Sequence, residues 1–230
     1  MHSAKQVRLI TLILGTIAGY CDTVTFTSAN GLLSAHITGN LILFAGRLIR
    51  TSDLISWVRL LAFPVFVLSV IIGGWIARRP QPRRLLLLIE GLILCLAGAV
   101  AFLLKLGDPS YYNVYIYPIA LIVVFAMGLQ NAYGKLFTAD IYGPTTAMTG
   151  NVTQWAIDLG KLIRGTKDPL TLDSFKKQSL LILAFFFGCL FGAVVSLFIG
   201  LGAILLAGMT LLLTKKLAPM EMGAPVTINY

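Results

Sequence analysis

The sequence predicts an all-α polytopic membrane protein, with about six spanning helices, two short broken or re-entrant helices and a two-fold internal repeat. Composition is the first reason, because 57% of the 230 residues are hydrophobic and only 12% are charged. A soluble domain of this length could not bury so much apolar surface, so the lipid bilayer must cover part of it. The second reason is the tripeptide Thr-Gly-Asn, which occurs at residues 38–40 and again 111 positions later.

Six apolar segments are candidates for spanning helices, near residues 7–26, 57–77, 84–104, 114–134, 178–198 and 199–214. Most have close to the ~20 residues that a helix needs to cross a bilayer. The last two form one apolar stretch, which we divide at Gly200-Leu-Gly202 because its length suits a helical hairpin. The first segment is similar to a signal peptide, since Lys5 and Arg8 precede it. Asp22 within that segment argues instead for a retained first helix.

The two Thr-Gly-Asn segments, residues 38–50 and 149–161, are shorter than the spanning segments. Each follows a stretch of polar and small residues, TFTSANGLLSAH before the first and YGPTTA before the second. Such pieces are typical of half-helices, which occur at membrane depth only where protein or a water-filled cavity satisfies the backbone.

The repeat divides the chain into a first half at residues 1–113 and a second half at 114–218, followed by a loose tail at 219–230. A weaker match supports this division, because Gly19-Tyr-Cys-Asp22 faces Gly128-Leu-Gln-Asn131. Internal symmetry of this kind is typical of transporter folds, which place their site between the repeats. The alternative is that Thr-Gly-Asn is only a helix N-cap used twice.

The basic residues predict the orientation, because cytoplasmic loops are enriched in Lys and Arg. With six spanning helices and a cytoplasmic N-terminus, 14 of the 18 basic residues lie in the cytoplasm; with eight spanning helices, 13 do. The count therefore does not separate the two models. Segment length favours six, three per half, which makes the repeats inverted. We expect a multi-pass protein of the inner membrane with both termini in the cytoplasm.

The two motifs predict a binding site. Thr38 and Thr149 stand where N-caps are expected, and Gly39 and Gly150 allow a ligand or a second backbone to approach closely. Two half-helix N-termini aimed at the interior offer partial positive charge and free N–H donors, which suit a carboxylate or another anion. The alternative is that the caps only let the chain turn. The predicted lining of the site is Asp22, Thr38, Gly39, Asn40, Gln130, Asn131, Thr149, Gly150 and Asn151.

Three ionisable residues lie in or beside apolar segments. An acid inside a membrane helix is costly enough that a function is the default hypothesis, and proton coupling would require a carboxylate such as Asp22. The counterpart of Asp22 in the second half is the neutral Asn131. The alternative is that Asp22 caps the turn that follows its helix. Glu90 is expected to pair with Arg83 or Arg84 at the interface, and His36 is expected to be structural.

Small residues predict where helices pack closely. Ser69 and Gly73 in the first half, and Gly188 and Gly192 in the second, show the small-xxx-small pattern of membrane helix interfaces.

Several classes of function are not supported. The three cysteines lie inside apolar runs without CxxC spacing or clustered histidines, so neither a metal site nor a disulfide framework is predicted. No nucleotide-binding fingerprint and no hydrolytic constellation is present, so we expect neither an enzyme nor a cofactor. The net charge of +9 comes from short basic clusters at helix ends, which does not predict nucleic-acid binding.

The sequence resembles the YoaK-like family of uncharacterised bacterial membrane proteins, which is defined by a domain of unknown function. The residues that carry the resemblance are GYCDTVTF with ANGLLSAHITGN in the first half, and GLQNAY with TTAMTGN in the second. The resemblance covers nearly the whole chain and implies a small, roughly six-helix inner-membrane protein of permease type. It implies no substrate, and Asn131 departs from the acidic residue of the first half.

Two functions remain open. The first is a secondary transporter or permease for a small solute, with its site between the two half-helix N-termini. The alternative is a non-transporting membrane protein that acts as an accessory or partner subunit. The chain is small for a complete alternating-access machine, so a homodimer is compatible with the first function.

Overall fold

Eight α-helices and two 3₁₀ turns form the part of the chain described by the structure, a computed structural model. It covers residues 4–49 and 54–214, apart from the side chain of Pro109; the predicted tail at 219–230 lies outside these residues. The helices are α1 (Ala4–Ser28), α2 (Ile37–Leu48), α3 (Leu54–Ile76), α4 (Pro82–Leu106), α5 (Pro109–Leu136), α6 (Met148–Ile163), α7 (Pro169–Ile199) and α8 (Ile204–Thr214), with 3₁₀ turns at Thr138–Asp140 and Gly200–Ala203.

Five stretches of the described chain are long and apolar enough to cross a membrane. They are α1, α3, α4, most of α5, and the continuous stretch Pro169–Thr214 that contains α7 and α8. Within the described residues no β-strand is present. The prediction of an all-α polytopic membrane protein is therefore confirmed.

The last apolar stretch reverses its direction near residue 200, where Gly200 has a φ of +58° that favours glycine. The Tyr20 hydroxyl donates to the Ala203 carbonyl at 2.8 Å, and α8 then runs back along α1 and α4. The predicted division at Gly200-Leu-Gly202 agrees with this reversal. The two arms pack mainly on other helices, α7 on α1 and α8 on α4.

Small residues explain these pairings. A side chain at Gly188 would overlap the Thr16 carbonyl, and one at Gly192 would come within 2.7 Å of the Tyr20 carbonyl oxygen, so α1 and α7 pack with their backbones nearly in contact. In the first half, a Cβ on Gly73 would lie 2.6 Å from the Ala132 Cβ of α5. The two predicted packing faces are confirmed.

The helix directions follow from the same contacts. Residue numbers rise together along α1 and α7, and also along α3 and α5, so both pairs are parallel. Helices α1 and α5 are antiparallel, because Gln130 bonds to the Leu14 carbonyl near one end of the pair and Asn30 bonds to the Tyr117 hydroxyl near the other. These pairings are those expected of two inverted halves, and the boundaries 1–113 and 114–218 stay a prediction.

The helix α2 enters and leaves the bundle on one side. The Arg59 guanidinium of α3 donates to the Asn30 carbonyl just after α1, so α1 ends where α3 begins; we call this the α1-end side. Between them, residues 29–36 turn back into the bundle, where the Ala35 amide reaches Asp22. The 12 residues of α2, ~18 Å long, then return to the α1-end side.

The helix α6 does the same from the opposite side, which we call the α1-start side. The turn after α5 lies there, since the Tyr142 amide donates to the Thr11 hydroxyl. Residues 141–147 run back into the bundle, where Thr145 and Thr146 bond to Gln130 and Asn131. The 16 residues of α6, ~24 Å long, then run antiparallel to α7 and end on the α1-start side. Neither α2 nor α6 reaches the ~30 Å of a bilayer core, so both are re-entrant with respect to the bundle.

Candidate functional site

A cavity of about 330 Å³ lies where the N-termini of α2 and α6 meet. Its lining includes residues 35–38 before and within α2, residues 146–150 before and within α6, Phe66 of α3 and Asn131 of α5. This volume is at the lower end of the range for small-molecule pockets. Both repeated motifs therefore contribute to one cavity, although they are 111 positions apart in the sequence.

The N-terminal turns of both half-helices lack a side-chain cap. The N-cap residues are His36 for α2 and Ala147 for α6, and neither accepts a hydrogen bond through its side chain. The prediction that Thr38 and Thr149 are N-caps is wrong, because each helix begins one residue before its threonine. Both threonines are exposed within the cavity instead. Helix N-termini in this state present N–H donors and the positive end of the helix dipole.

The asparagines of the two motifs build the re-entrant loops. Asn40 Oδ1 accepts from the Leu33 amide at 2.9 Å, and its Nδ2 donates to the Leu33 carbonyl at 2.7 Å. Asn151 Nδ2 donates to the Pro144 carbonyl at 2.7 Å, again seven residues upstream. Proline has no amide hydrogen, so the second loop makes one of these bonds where the first makes two.

Replacing Asn40 by alanine should therefore destabilise the protein more than replacing Asn151. We expect a loss of about 2 kcal/mol for Asn40→Ala and about 1 kcal/mol for Asn151→Ala, because each unmade bond leaves a partly buried loop group without its partner. Unfolding of the purified protein in detergent measures both. Thr153→Ala is the control, since the exposed Thr153 hydroxyl bonds only within α6, and its effect should stay within ~0.5 kcal/mol. Equal losses for both asparagine variants would contradict this account.

Asp22 ties the first re-entrant loop to α1 from behind the cavity. The residue is 6% exposed; its Oδ1 accepts from the Ala35 amide at 2.7 Å, and its Oδ2 lies 2.7 Å from His36 Nδ1. Asp22 therefore holds the turn that follows its helix, and it bonds to two residues of the cavity lining, Ala35 and His36. A hydrogen bond that Nδ1 donates to the carboxylate leaves Nε2 of His36 as the ring nitrogen available to a ligand.

His36 is the residue that sequence reasoning assigned only a structural role. It lines the cavity, and its side chain is 34% exposed while it pairs with Asp22. Fourteen residues separate the two in sequence, and they meet because residues 29–36 fold back. The only sequence signal was the position of His36 directly before Ile37-Thr38-Gly39.

The second loop is tied to α5 by neutral side chains. Asn131 lines the cavity and donates to the Thr146 hydroxyl at 2.6 Å. Gln130 is fully buried and donates both to the Thr145 hydroxyl and to the Leu14 carbonyl of α1, so it joins the second loop to the first half. In each half, the helix before the loop thus holds that loop through a polar side chain.

Not every predicted site residue faces the cavity. Thr38, Asn131, Thr149 and Gly150 line it. The other five lie behind it and support the loops or the packing around them: Asp22, Gly39, Asn40, Gln130 and Asn151. Gly39 illustrates the difference, because a Cβ there would lie 2.6 Å from the Leu33 side chain, whereas Gly150 faces open space.

The lining contains donors but no carboxylate. His36, Thr38, Asn131, Thr146 and Thr149 supply its polar side chains, and Phe66, Ile37 and Met148 supply apolar walls. Across residues 4–49 and 54–214, no cluster of three or more His, Cys, Asp or Glu side chains could hold a metal ion. The arrangement can bind a small polar solute and orient it by hydrogen bonds.

Comparison with known proteins places the chain in a family. No curated protein and no solved structure matches it. One family model, described as "Protein of unknown function (DUF1275)", matches residues 10–215 and so includes both half-helices. This match agrees with the resemblance to YoaK-like proteins of unknown function. The chain belongs to the DUF1275 family of proteins of unknown function.

Proposed function

We propose that this protein is a secondary transporter or permease for a small anionic solute, which binds between the N-termini of α2 and α6. The observation that carries the proposal is the single cavity lined by the first turns of both half-helices. Broken helices whose N-termini point at a shared site between inverted halves are the usual construction of a transporter binding site.

The polar groups that line the cavity support an anionic solute. Two helix N-termini without side-chain caps bring two positive dipole ends to the same cavity. The hydroxyls of Thr38 and Thr149 and the ring of His36 add polar groups around it. The carboxylate of Asp22 is directed at Ala35 and His36 and does not itself line the cavity.

The course of the chain supports a route across the membrane. The half-helices α2 and α6 enter from opposite sides and meet at the cavity, so a solute there lies between the two sides. Parallel packing joins α1 to α7 and α3 to α5, which places one helix from each half in both pairs. Rocking of one pair against the other would expose the cavity to each side in turn.

The distribution of basic side chains supports an orientation. Arg59 and Lys105 lie on the α1-end side, where Lys105 donates to the Phe198 carbonyl. Arg83 and Lys177 lie on the α1-start side, close to Asp140 and Tyr142. Among the described residues, the α1-start side also carries most of the other Lys and Arg. We therefore place this side and both termini in the cytoplasm, with the protein in the inner membrane.

A binding experiment tests the proposal before the substrate is known. Purified protein is unfolded thermally with formate, acetate, succinate or inorganic phosphate, each compared with a neutral analogue such as acetamide. A ligand that binds only the folded protein stabilises it by about 2.7 kcal/mol at one hundred times its Kd. We expect at least one anion, but not its neutral analogue, to raise the melting temperature. Proteoliposomes should then take up that anion.

Matched variants locate the binding. The double variant Thr38→Val with Thr149→Val removes two of the three cavity hydroxyls, leaving that of Thr146, and should lose the anion-dependent shift. Thr153→Val removes an exposed hydroxyl one turn further along α6 and should retain it. If no anion stabilises the wild type, or if all variants respond equally, the cavity is not an anion site. The non-transporting accessory role would then be favoured.

A further inference from the structure

Glu90 is a second acid inside the helical bundle, and the solute site does not use it. It lies on α4 with no exposed surface, and neither of its carboxyl oxygens has a hydrogen-bond partner. The expected pairing with Arg83 or Arg84 is wrong for Arg83, whose Nε lies 2.6 Å from Asp140 Oδ2 in the turn after α5. Glu90 is about two helical turns, or ~10 Å, further along α4 than Arg83.

Among the residues that the structure describes, no cation bonds to either carboxyl oxygen of Glu90. Tyr133 on α5 and Cys21 on α1 lie close enough to interact with it electrostatically. The described residues of α8, Ile204–Thr214, include no titratable side chain, and the one cation of α3, Arg59, lies at the α1-end side beside Asn30. An isolated carboxylate ion in such a place costs far more than the net stability of a protein.

Glu90 also stands within a line of titratable groups. On one side, the Tyr133 hydroxyl donates to Asp140 Oδ2 at 3.0 Å, and Asp140 pairs with Arg83 near the α1-start side. On the other side, Cys21 precedes Asp22, which bonds to His36 at the cavity. The acid is thus placed between the α1-start side and the loop that borders the cavity.

We propose that Glu90 is a proton-binding site of this protein. One carboxyl oxygen holds the proton as an O–H group in the conformation described here. When the helices around α4 separate enough to admit water, the O–H bond breaks, the proton passes to water on the α1-start side, and the carboxylate remains until it is protonated again. Helix α4 packs against α5 and α8, so relative motion of these helices alters the environment of Glu90.

Infrared spectroscopy tests the proposal without any knowledge of the solute. A protonated carboxylic acid has a carbonyl-stretching band well separated from the bands of carboxylates and amides. In proteoliposomes at pH 7 we expect this band in the wild type and in Asp22→Asn, and its loss in Glu90→Gln. The band should shift after exchange into D₂O buffer, because a working proton site must exchange with water.

Three outcomes overturn the proposal. A wild-type band that Glu90→Gln leaves unchanged, or the lack of any such band, shows that Glu90 does not hold a proton. A band that never shifts in D₂O shows a sealed structural acid. If Glu90→Gln does not fold, Glu90→Asp serves instead; it keeps an acid at this position and should move the band. These outcomes are independent of the anion-binding experiment, so either result can fail alone.

Discussion

Gly188→Ala is expected to lower the free energy of unfolding by about 3 kcal/mol, the upper end for overpacking a core. The added Cβ would overlap the backbone carbonyl oxygen of Thr16, and backbone cannot move aside as a flexible side chain can. Helices α1 and α7 must then separate along their shared face. Denaturant unfolding of the purified protein in mixed micelles measures the change.

Gly74→Ala is the matched control for this prediction. Gly74 lies inside α3, and a Cβ there would meet nothing within 4 Å. Alanine is favoured over glycine in a helix by up to ~1 kcal/mol, so Gly74→Ala should leave stability unchanged or raise it slightly. If Gly188→Ala is as stable as Gly74→Ala, the backbones of α1 and α7 are not in close contact at Gly188.

The second large effect concerns Asp22 and transport. Asp22→Asn should abolish accumulation of the anion driven by a pH gradient, while exchange down the anion gradient survives. The asparagine oxygen can still accept from the Ala35 amide, so the loop keeps its course. Its amide NH₂, however, would face His36 Nδ1 and would favour the tautomer that carries its proton on Nε2, which changes the ring at the cavity.

Uptake into proteoliposomes with an imposed pH gradient measures this effect, with the anion that stabilises the wild type. Asp22→Ala separates the role of Asp22 in holding the loop from the role of its carboxylate beside His36. It removes the hydrogen bond to the Ala35 amide and should also lower the free energy of unfolding by about 2 kcal/mol. Equal gradient-driven accumulation by the wild type and Asp22→Asn would show that Asp22 only holds the loop.

The fold class could be predicted because its signals are local. A run of about twenty apolar residues predicts a spanning helix without knowledge of its neighbours. The repeated tripeptide also predicted the two helices that meet at the cavity. Each copy begins an apolar segment too short to cross a bilayer, and a polar stretch precedes each segment. Neither the spanning helices nor the half-helices required knowledge of contacts between distant residues.

The errors concern features that depend on distant residues. Arg83 pairs with Asp140 and not with Glu90, because the turn after α5 brings Asp140 to the start of α4. The position of His36 at the cavity depends on the loop that folds back to Asp22. The side chains that hold the loops are those of Asn40 and Asn151, not those of Thr38 and Thr149. Threonine and asparagine are both common N-cap residues, so the tripeptide alone does not show which of them has this role.

Chemical cross-linking tests whether α2 and α6 point their N-termini at one cavity. In a background whose three native cysteines are replaced by alanine, Thr38 and Thr149 are changed to cysteine and treated with a short bis-maleimide. Ala45 and Ala156 form the control pair, because each is exposed and lies seven residues further along its half-helix. With the half-helices running in opposite directions, the control pair is about 20 Å further apart.

Intact-mass spectrometry of the membrane-embedded protein gives the answer. We expect an intramolecular cross-link between positions 38 and 149 and none between positions 45 and 156. Equal cross-linking of both pairs would show two helices lying side by side, and no cross-link between positions 38 and 149 would show that the two N-termini do not meet. Either result would contradict a shared site.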